Sequence, residues 1–259
     1  MIAAQQTIGL DITLGSYPNL LEKIVVLAKD KYSSNVCIAN VHMLVEAHNN
    51  DSFRSAINKA EVITADGKPL TWALRLLYGI KQDRVAGMDL LPDLLKQAMT
   101  NQLPVYFYGG TESLLEKTRK YLSVHYPDLK IAGMTSPPFR EITAAEEEEA
   151  VKEINSSGAR MVFVILGCPK QEKWMARMKE RINAVMIGVG GALPVMLGIQ
   201  KRAPKWMQNA GLEWLFRLCQ EPRRLFKRYA YTNTLFMWLL FKEYFRIKVF
   251  GKTQTHHLN

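Results

Sequence analysis

Polar residues follow two apolar runs of this 259-residue chain directly, in places where a simple core has no need of them. Asn40 and His42 follow the first run, and Asp66, Gly67 and Lys68 follow the second. A carboxylate in such a place can act as a general base. An aspartate before a glycine more commonly forms an Asx turn or caps a helix, so both interpretations of Asp66 stay open. His42 is expected to be a packing residue.

Glycines follow three further apolar runs. A glycine lets the backbone approach a phosphate closely, and the free N–H groups of a following helix can bind it. A single glycine pair is more often only a tight turn, so the phosphate interpretation requires several such turns to meet at one place. The residues concerned are Gly109 and Gly110, then Gly167, Pro169, Gln171 and Glu172 of one stretch, and finally Gly188, Gly190 and Gly191.

Apolar runs alternate with longer segments of helical period along residues 35–189. This alternation predicts βαβ units, a mostly parallel sheet and an α/β fold with helices on both faces, in which ligands bind beyond the carboxyl ends of the strands. The expected strands are Asn35–Ala39, Glu61–Ala65, Val105–Tyr108, Leu129–Met134, Met161–Leu166 and Ala184–Val189. The expected helices lie near Met43–Asn49, Ser52–Lys59, Pro69–Tyr78, Leu90–Thr100, Glu112–His125, Ala144–Asn155 and Gln171–Arg181, with a capping box of Thr143 and Glu146.

Several protein classes are excluded by what the sequence lacks. It has no GxxxxGK[ST], HExxH or GxSxG motif and no Asp-x-Asp pair, so we expect neither a metal nor a cofactor. Its three cysteines are far apart, which argues against a disulfide framework. We expect no signal peptide, because no charged region followed by an apolar region opens the chain. We expect no membrane span, because the longest uncharged stretch near the C-terminus, Tyr229–Phe241, is only 13 residues long.

The basic charge is concentrated near the C-terminus. The whole chain carries a net charge of +10, and residues 201–259 alone hold 12 basic and 3 acidic side chains. The same segment holds 12 of the 25 aromatic residues, including an apolar block at residues 235–241. We therefore predict an α/β body of residues 1–200 and a basic, helical appendage of residues 201–259. Such an appendage suits an anionic membrane surface. Arg217, Arg224 and Arg228 are spaced to share a helix face if Pro222 only begins a second helix.

Two other interpretations of the appendage stay open. It can be a helix that packs on the body or on another subunit. Nucleic-acid binding explains the charge but not the apolar block, so we do not expect a nucleic-acid partner.

Taken together, these stretches resemble the WecG/TagA/CpsF family of bacterial glycosyltransferases (glycosyltransferase family 26). The resemblance runs in family order from about residue 8 to residue 230. The matching stretches are ANVHM, ADGKPL with a downstream RVAGMDLLP, YFYGG, SPPFR, LGCPKQEKWM, IGVGGA and KRAPKWMQNAGLEWLFRLCQEPRRLFKRY.

The resemblance implies a Rossmann-like body and the transfer of a sugar from a UDP-sugar to a polyprenyl-diphosphate-linked saccharide. It implies inversion at the anomeric carbon without a metal, in cell-envelope or exopolysaccharide synthesis. The protein would be peripheral on the inner face of the bacterial cytoplasmic membrane, where the appendage docks and completes the active site. A homo-oligomer is compatible with it.

The family's functional residues map onto positions of this sequence. Asp66 matches the catalytic carboxylate, and Asn40 matches a polar residue that orients donor or acceptor hydroxyls. Arg84, the three appendage arginines and the glycine turns are candidates to stabilise the departing UDP. Gln171 and Glu172 match a PKQE turn at the donor.

Two positions depart from the family pattern. Ile38 stands where many members have threonine, and Pro194 falls in a stretch where many have an aspartate. Both departures favour a sugar other than N-acetylmannosamine, such as a hexose. The alternative to an enzyme is a catalytically silent scaffold that binds a nucleotide sugar within a membrane assembly complex.

Overall fold

A parallel sheet forms the centre of the molecule. The computed structural model describes residues 3–248 and residue 251, and within them six parallel strands pair in the order β4-β3-β8-β7-β5-β6. The predicted Rossmann-like α/β fold is therefore confirmed. The strands are β3 (Ser34–Ala39), β4 (Val62–Ala65), β5 (Val105–Gly109), β6 (Ile131–Thr135), β7 (Met161–Ile165) and β8 (Val185–Gly188).

The central strands are buried on both faces because helices cover each side of the sheet. Alternate side chains of each strand enter two different apolar cores, as parallel sheets of this kind require. Val36, Phe107 and Phe163 face one core, while Tyr106 and Val164 face the other.

Two groups of helices cover the two faces. The first core is covered by α1 (Tyr17–Lys29), α5 (Gly87–Thr100), α6 (Glu112–His125) and α9 (Ala192–Met196). The second is covered by α2 (Val41–Asn49), α3 (Asp51–Asn58), α4 (Lys68–Tyr78), α7 (Ala144–Ser156) and α8 (Lys170–Met178). The capping box at the start of α7 is present as predicted: Thr143 accepts the Glu146 N–H, and the Glu146 side chain accepts the Thr143 N–H.

An N-terminal unit was not predicted from the sequence. β1 (Ala4–Thr7) and β2 (Leu10–Thr13) form an antiparallel hairpin, and α1 follows it. The hairpin is attached to the large sheet where the Ile63 N–H donates to the Thr13 hydroxyl at 2.9 Å. β1 has no apolar run to reveal it, because only the last of its four residues is buried.

Three helices follow the body: α10 (Lys205–Asn209), α11 (Glu213–Gln220) and α12 (Pro222–Lys248). One face of α12 packs against α2 and α4, and it buries Leu225, Thr232, Phe236 and Leu239. The opposite face leaves several large apolar side chains exposed, namely Phe226, Tyr231, Met237, Trp238, Phe241 and Phe245. The apolar block predicted at residues 235–241 is therefore divided between the core and the surface.

No helix in residues 3–248 combines the length and the apolar character needed to cross a membrane. Part of the predicted appendage, residues 249–250 and 252–259, lies outside the described residues.

The packing of α12 can be tested with two identical substitutions. Phe236 is 4% exposed and joins the core, while Phe226 on the same helix is 64% exposed. Phe236→Ala should reduce the free energy of unfolding by about 3 kcal/mol or more, since it leaves a cavity. Phe226→Ala should change it by less than about 0.5 kcal/mol. Chemical denaturation measures both, and equal effects would contradict this packing.

Candidate functional site

Five strand ends meet at one cavity. Because neighbouring strands are parallel, the residues that follow β3, β4, β5, β7 and β8 all lie along the carboxyl edge of the sheet. A cavity of about 620 Å³ opens there, and residues of α11 and α12 form its other wall. The predicted site residues that line it are Asn40, Asp66, Gly67, Gly110, Gly167, Gln171, Gly188, Gly190, Gly191, Arg217, Arg224 and Arg228.

Asp66 lies at the end of β4, where its N–H donates to the Ala39 carbonyl at 2.7 Å. Gly67 is the N-cap of α4, and no side chain accepts a hydrogen bond in the first turn of that helix. The Asp66 carboxylate accepts no hydrogen bond from any described residue. It neither forms an Asx turn nor caps the helix, so the two structural explanations of this aspartate do not hold.

The surroundings of Asp66 favour its protonated form. Burial, with smaller contributions from Glu213 and Asp89, raises the pKa of Asp66 to about 6, against the opposing charges of Arg84 and Arg217. Such a carboxylate is ionised at neutral pH and is still basic enough to accept a proton. The geometry and the pKa together suit a general base.

Arg84 lies behind the wall of the cavity rather than in it. Its Nη1 donates to Glu213 at 2.9 Å, and its Nη2 donates to Asp89 at 2.9 Å and to Gln208 at 3.3 Å. Its guanidinium is thus committed to protein partners, and it reaches the site through Glu213, which does line the cavity.

Asn40 and His42 stand beside the general-base candidate. The Asn40 side-chain oxygen accepts the Met43 N–H at 3.1 Å, which caps α2 and fixes the amide at the cavity wall. His42 also lines the cavity, with Nε2 3.5 Å from a Glu46 carboxylate oxygen. Burial and the nearby Arg228 lower the pKa of His42, so the ring is neutral at pH 7.

Gln171 is held rigidly over the ends of β7 and β8. Its Nε2 donates to Glu172 at 2.7 Å, and its Oε1 accepts the Gly167 N–H at 3.2 Å. A Cβ at Gly188 would lie 2.8 Å from that Nε2, so only glycine lets the amide sit there. Glu172 is 2% exposed, and burial raises the pKa of its carboxyl group.

Three predicted residues support the cavity without lining it. Glu172 lies beneath Gln171, and Pro169 follows a cis peptide bond immediately before α8. Gly109 packs against the backbone of β7, because a Cβ there would lie 2.7 Å from the Ile165 carbonyl. Its neighbour Gly110 faces the cavity, and the Ser136 hydroxyl donates to its carbonyl at 2.7 Å.

The arginines of α11 and α12 line the same cavity as the glycine turns. The Arg217 guanidinium lies against Gly191, 3.4 Å from where a Cβ would stand. Arg224 forms an ion pair with Glu221. The Arg228 Nε is buried and has no hydrogen-bond partner in the described part of the chain. Three cations therefore line the same cavity as the backbone of the glycine turns.

The family comparison agrees with this geometry. Residues 5–249 match the model of the glycosyl transferase WecG/TagA/CpsF family. The chain belongs to this family. It is therefore a glycosyltransferase, and membership of this bacterial family implies a role in cell-envelope polysaccharide synthesis.

Two charged residues of this WecG/TagA/CpsF glycosyltransferase were not selected from the sequence. Glu213 lines the cavity, and Arg202 forms an ion pair with Asp89 at 2.7 Å. The sequence offers only a weak signal for Glu213, a lone acid in the stretch GLEWLFR, because its partner Arg84 is 129 residues away. No described group of three or more histidine, cysteine or acidic side chains is arranged to hold a metal ion.

The charge on Asp66 should reduce the stability of this glycosyltransferase as the pH rises from about 4 to about 6, and the loss should be complete above pH 6. The pKa of Asp66 is about 6 when folded and 3.8 ordinarily, so the folded state loses stability as pH rises through that window. Asp66→Asn removes this charge and should stabilise the protein by about 1–3 kcal/mol at pH 8. The stabilisation should vanish at pH 4, where Asp66 is neutral.

Thermal unfolding at the two pH values measures the effect, and Asp128→Asn on the exposed surface is the control. A stabilisation that is the same at pH 4 and pH 8 would contradict the assignment.

Proposed function

We propose that this chain transfers a sugar from a UDP-sugar to a polyprenyl-diphosphate-linked saccharide, with inversion and without a metal ion. The donor sugar is of the N-acetylmannosamine type or another hexose. The product serves teichoic acid, exopolysaccharide or related cell-envelope synthesis. The observation that carries this proposal is Asp66, a carboxylate without hydrogen-bond partners among the described residues, in a cavity that also presents three arginines.

Asp66 would act on the acceptor. A sugar hydroxyl is a poor nucleophile, and it requires a base as it attacks the anomeric carbon. Asp66 would take the hydroxyl proton while the new glycosidic bond forms and the bond to the diphosphate breaks. A single displacement of this kind inverts the anomeric configuration, and Asn40 would orient a hydroxyl of either sugar.

The arginines would act on the leaving group. UDP departs with developing negative charge, and guanidinium groups bind phosphate oxygens in bidentate fashion. Arg217, Arg224 and Arg228 line the same cavity as the glycine turns, so a diphosphate bound there would meet both cations and backbone N–H groups. This arrangement supports charge stabilisation without a metal.

The outer face of α12 would meet the membrane. It exposes Trp238, Phe241 and Phe245, and the Lys242 ammonium lies over the Trp238 ring, which suits the headgroup region of an anionic bilayer. Residues 1–200 would form the catalytic body, and residues 201–259 would dock it on the cytoplasmic face. The lipid diphosphate would then enter beside the arginines of the cavity.

Loss of the proposed base should abolish most of the transfer. Asp66→Ala should lower turnover by roughly 10²–10⁴-fold, the usual contribution of a positioned acid–base group, and leave UDP binding nearly unchanged. The turnover of the wild-type protein should decrease as the pH is lowered past about 6, because Asp66 then becomes protonated. The assay follows UDP release from a panel of UDP-sugars with a short-chain polyprenyl-diphosphate glycan in excess EDTA.

A catalytically silent scaffold would bind the nucleotide sugar and release no UDP in either form of the protein. Inhibition by EDTA with rescue by Mg²⁺ would contradict the metal-free mechanism. Near-normal turnover of Asp66→Ala would contradict the role of Asp66.

Membrane binding should depend on the exposed aromatic residues of α12. The double variant Trp238→Ala, Phe241→Ala should weaken binding to vesicles with anionic lipids by about tenfold or more. Each substitution removes an aromatic ring that would be buried in the membrane interface. Val124→Ala, an equally exposed apolar position on α6, is the control and should bind normally. Sedimentation with vesicles measures both. Unchanged binding of the double variant would remove α12 as the docking surface.

A further inference from the structure

Four charged side chains alternate in sign where the body meets the C-terminal helices. Arg84 lies between Glu213 and Asp89, with both nitrogen–oxygen distances at 2.9 Å. Arg202 lies between the same two carboxylates, 2.7 Å from Asp89 and 4.0 Å from Glu213. We refer to these four residues as the charge square. Its net charge is zero, and none of its side chains is more than 34% exposed to solvent.

The two segments contribute equally to the charge square. Arg84 and Asp89 belong to the body, while Arg202 and Glu213 belong to the segment that carries α10–α12. The loop of Arg84 is tied to the end of β4, since the Val85 N–H donates to the Ala65 carbonyl at 3.0 Å. Glu213 opens the first turn of α11, where the helix dipole favours a carboxylate. The charge square thus forms only when the two segments are packed together.

The same packing brings Glu213 into the wall of the cavity that Asp66 also lines. Glu213 and Asp66 both line the cavity, and their negative charges repel one another. Three other charges act on Asp66, namely Asp89 of α5, Arg84 of the preceding loop and Arg217 of α11. His42 of α2 and Lys68 of α4 are further titratable side chains on the cavity wall.

We infer that Glu213 is a positioning residue for the transfer reaction: the charge square holds its carboxylate in the wall of the cavity that Asp66 lines, where its charge acts on the proton acceptor. The inference rests on the proposed function of Asp66 as a general base. On this inference the charge square does more than hold the C-terminal helices on the body. It also positions Glu213 in the wall of the cavity.

The electrostatic contributions support this role. Burial is the largest cause of the raised pKa of Asp66, and the negative charge of Glu213 is the next largest. Arg84 and Arg217 lower this pKa, and each has a smaller effect than Glu213. Separation of the C-terminal helices from the body would remove Glu213 together with Arg217, and it would expose Asp66 to water. Asp66 would then be the ordinary, weaker base of an open site.

The test replaces Glu213 with its neutral analogue. Glu213→Gln keeps the shape and still offers an oxygen to Arg84, but it removes the negative charge. The pKa of Asp66 should fall from about 6 by about one unit toward 3.8. The acid limb of the rate profile should move to lower pH by the same amount. Glu243→Gln, which removes a charge from α12 outside the cavity, should move neither.

Two readouts separate this inference from the proposed function. Carbon-13 NMR of labelled aspartate carboxyl groups, with Asp66 assigned by its loss in Asp66→Asn, follows the titration of Asp66 whether or not any sugar is transferred. The pH profile of UDP release follows the reaction itself. A shifted NMR titration without transfer in any form would support the contact and reject the proposed reaction.

Two results would overturn the inference. One is an Asp66 titration that Glu213→Gln leaves unchanged. The other is a rate that falls equally at every pH without movement of the acid limb, since this would mean that Glu213 only holds the helices in place.

Discussion

Parallel pairing of the strands is the constraint on which the rest of this structure depends. Each strand runs in the same direction as its neighbours, so the backbone leaves the sheet six times along one edge, and five of these strand ends meet at the cavity. The residues that follow the strand ends lie outside the apolar core, so they do not have to be apolar. They are the polar and glycine residues that line the site. Asn40, Asp66 and Gln171 come from three separate strand ends, yet they need no long loop to reach one another.

A partly buried carboxylate at such an edge reduces stability. The raised pKa of Asp66 means that its ionised form is disfavoured by its surroundings, and the protein retains this cost at neutral pH. The nearby arginines reduce the cost without removing it, because Arg84 is already bonded to Asp89 and Glu213. A general base requires such a compromise, since a carboxylate that is fully neutralised by cations has little affinity for a proton.

The C-terminal helix α12 contributes to the core, to the surface and to the cavity at this edge of the sheet. The inner face of α12 contributes Phe236 to the core, its outer face exposes Trp238, and its N-terminal turns direct Arg224 and Arg228 into the cavity. One helix therefore has side chains in the core, on the outer surface and in the cavity. Its amphipathic character agrees both with packing on the body and with a membrane surface, two interpretations that the sequence had left as alternatives.

The sequence by itself determined the strands of the large sheet and most of the candidate residues of this protein. All six strands of the sheet and the capping box at Thr143 were predictable, because apolar runs and caps are local signals. The polar β1 and the ion pairs of Glu213 were not, since they depend on partners far away in the chain. Only the tertiary structure decided that Arg84 lies behind the cavity while the arginines of α11 and α12 line it. Spacing places a side chain on an element, but the packing of two elements decides which charges meet.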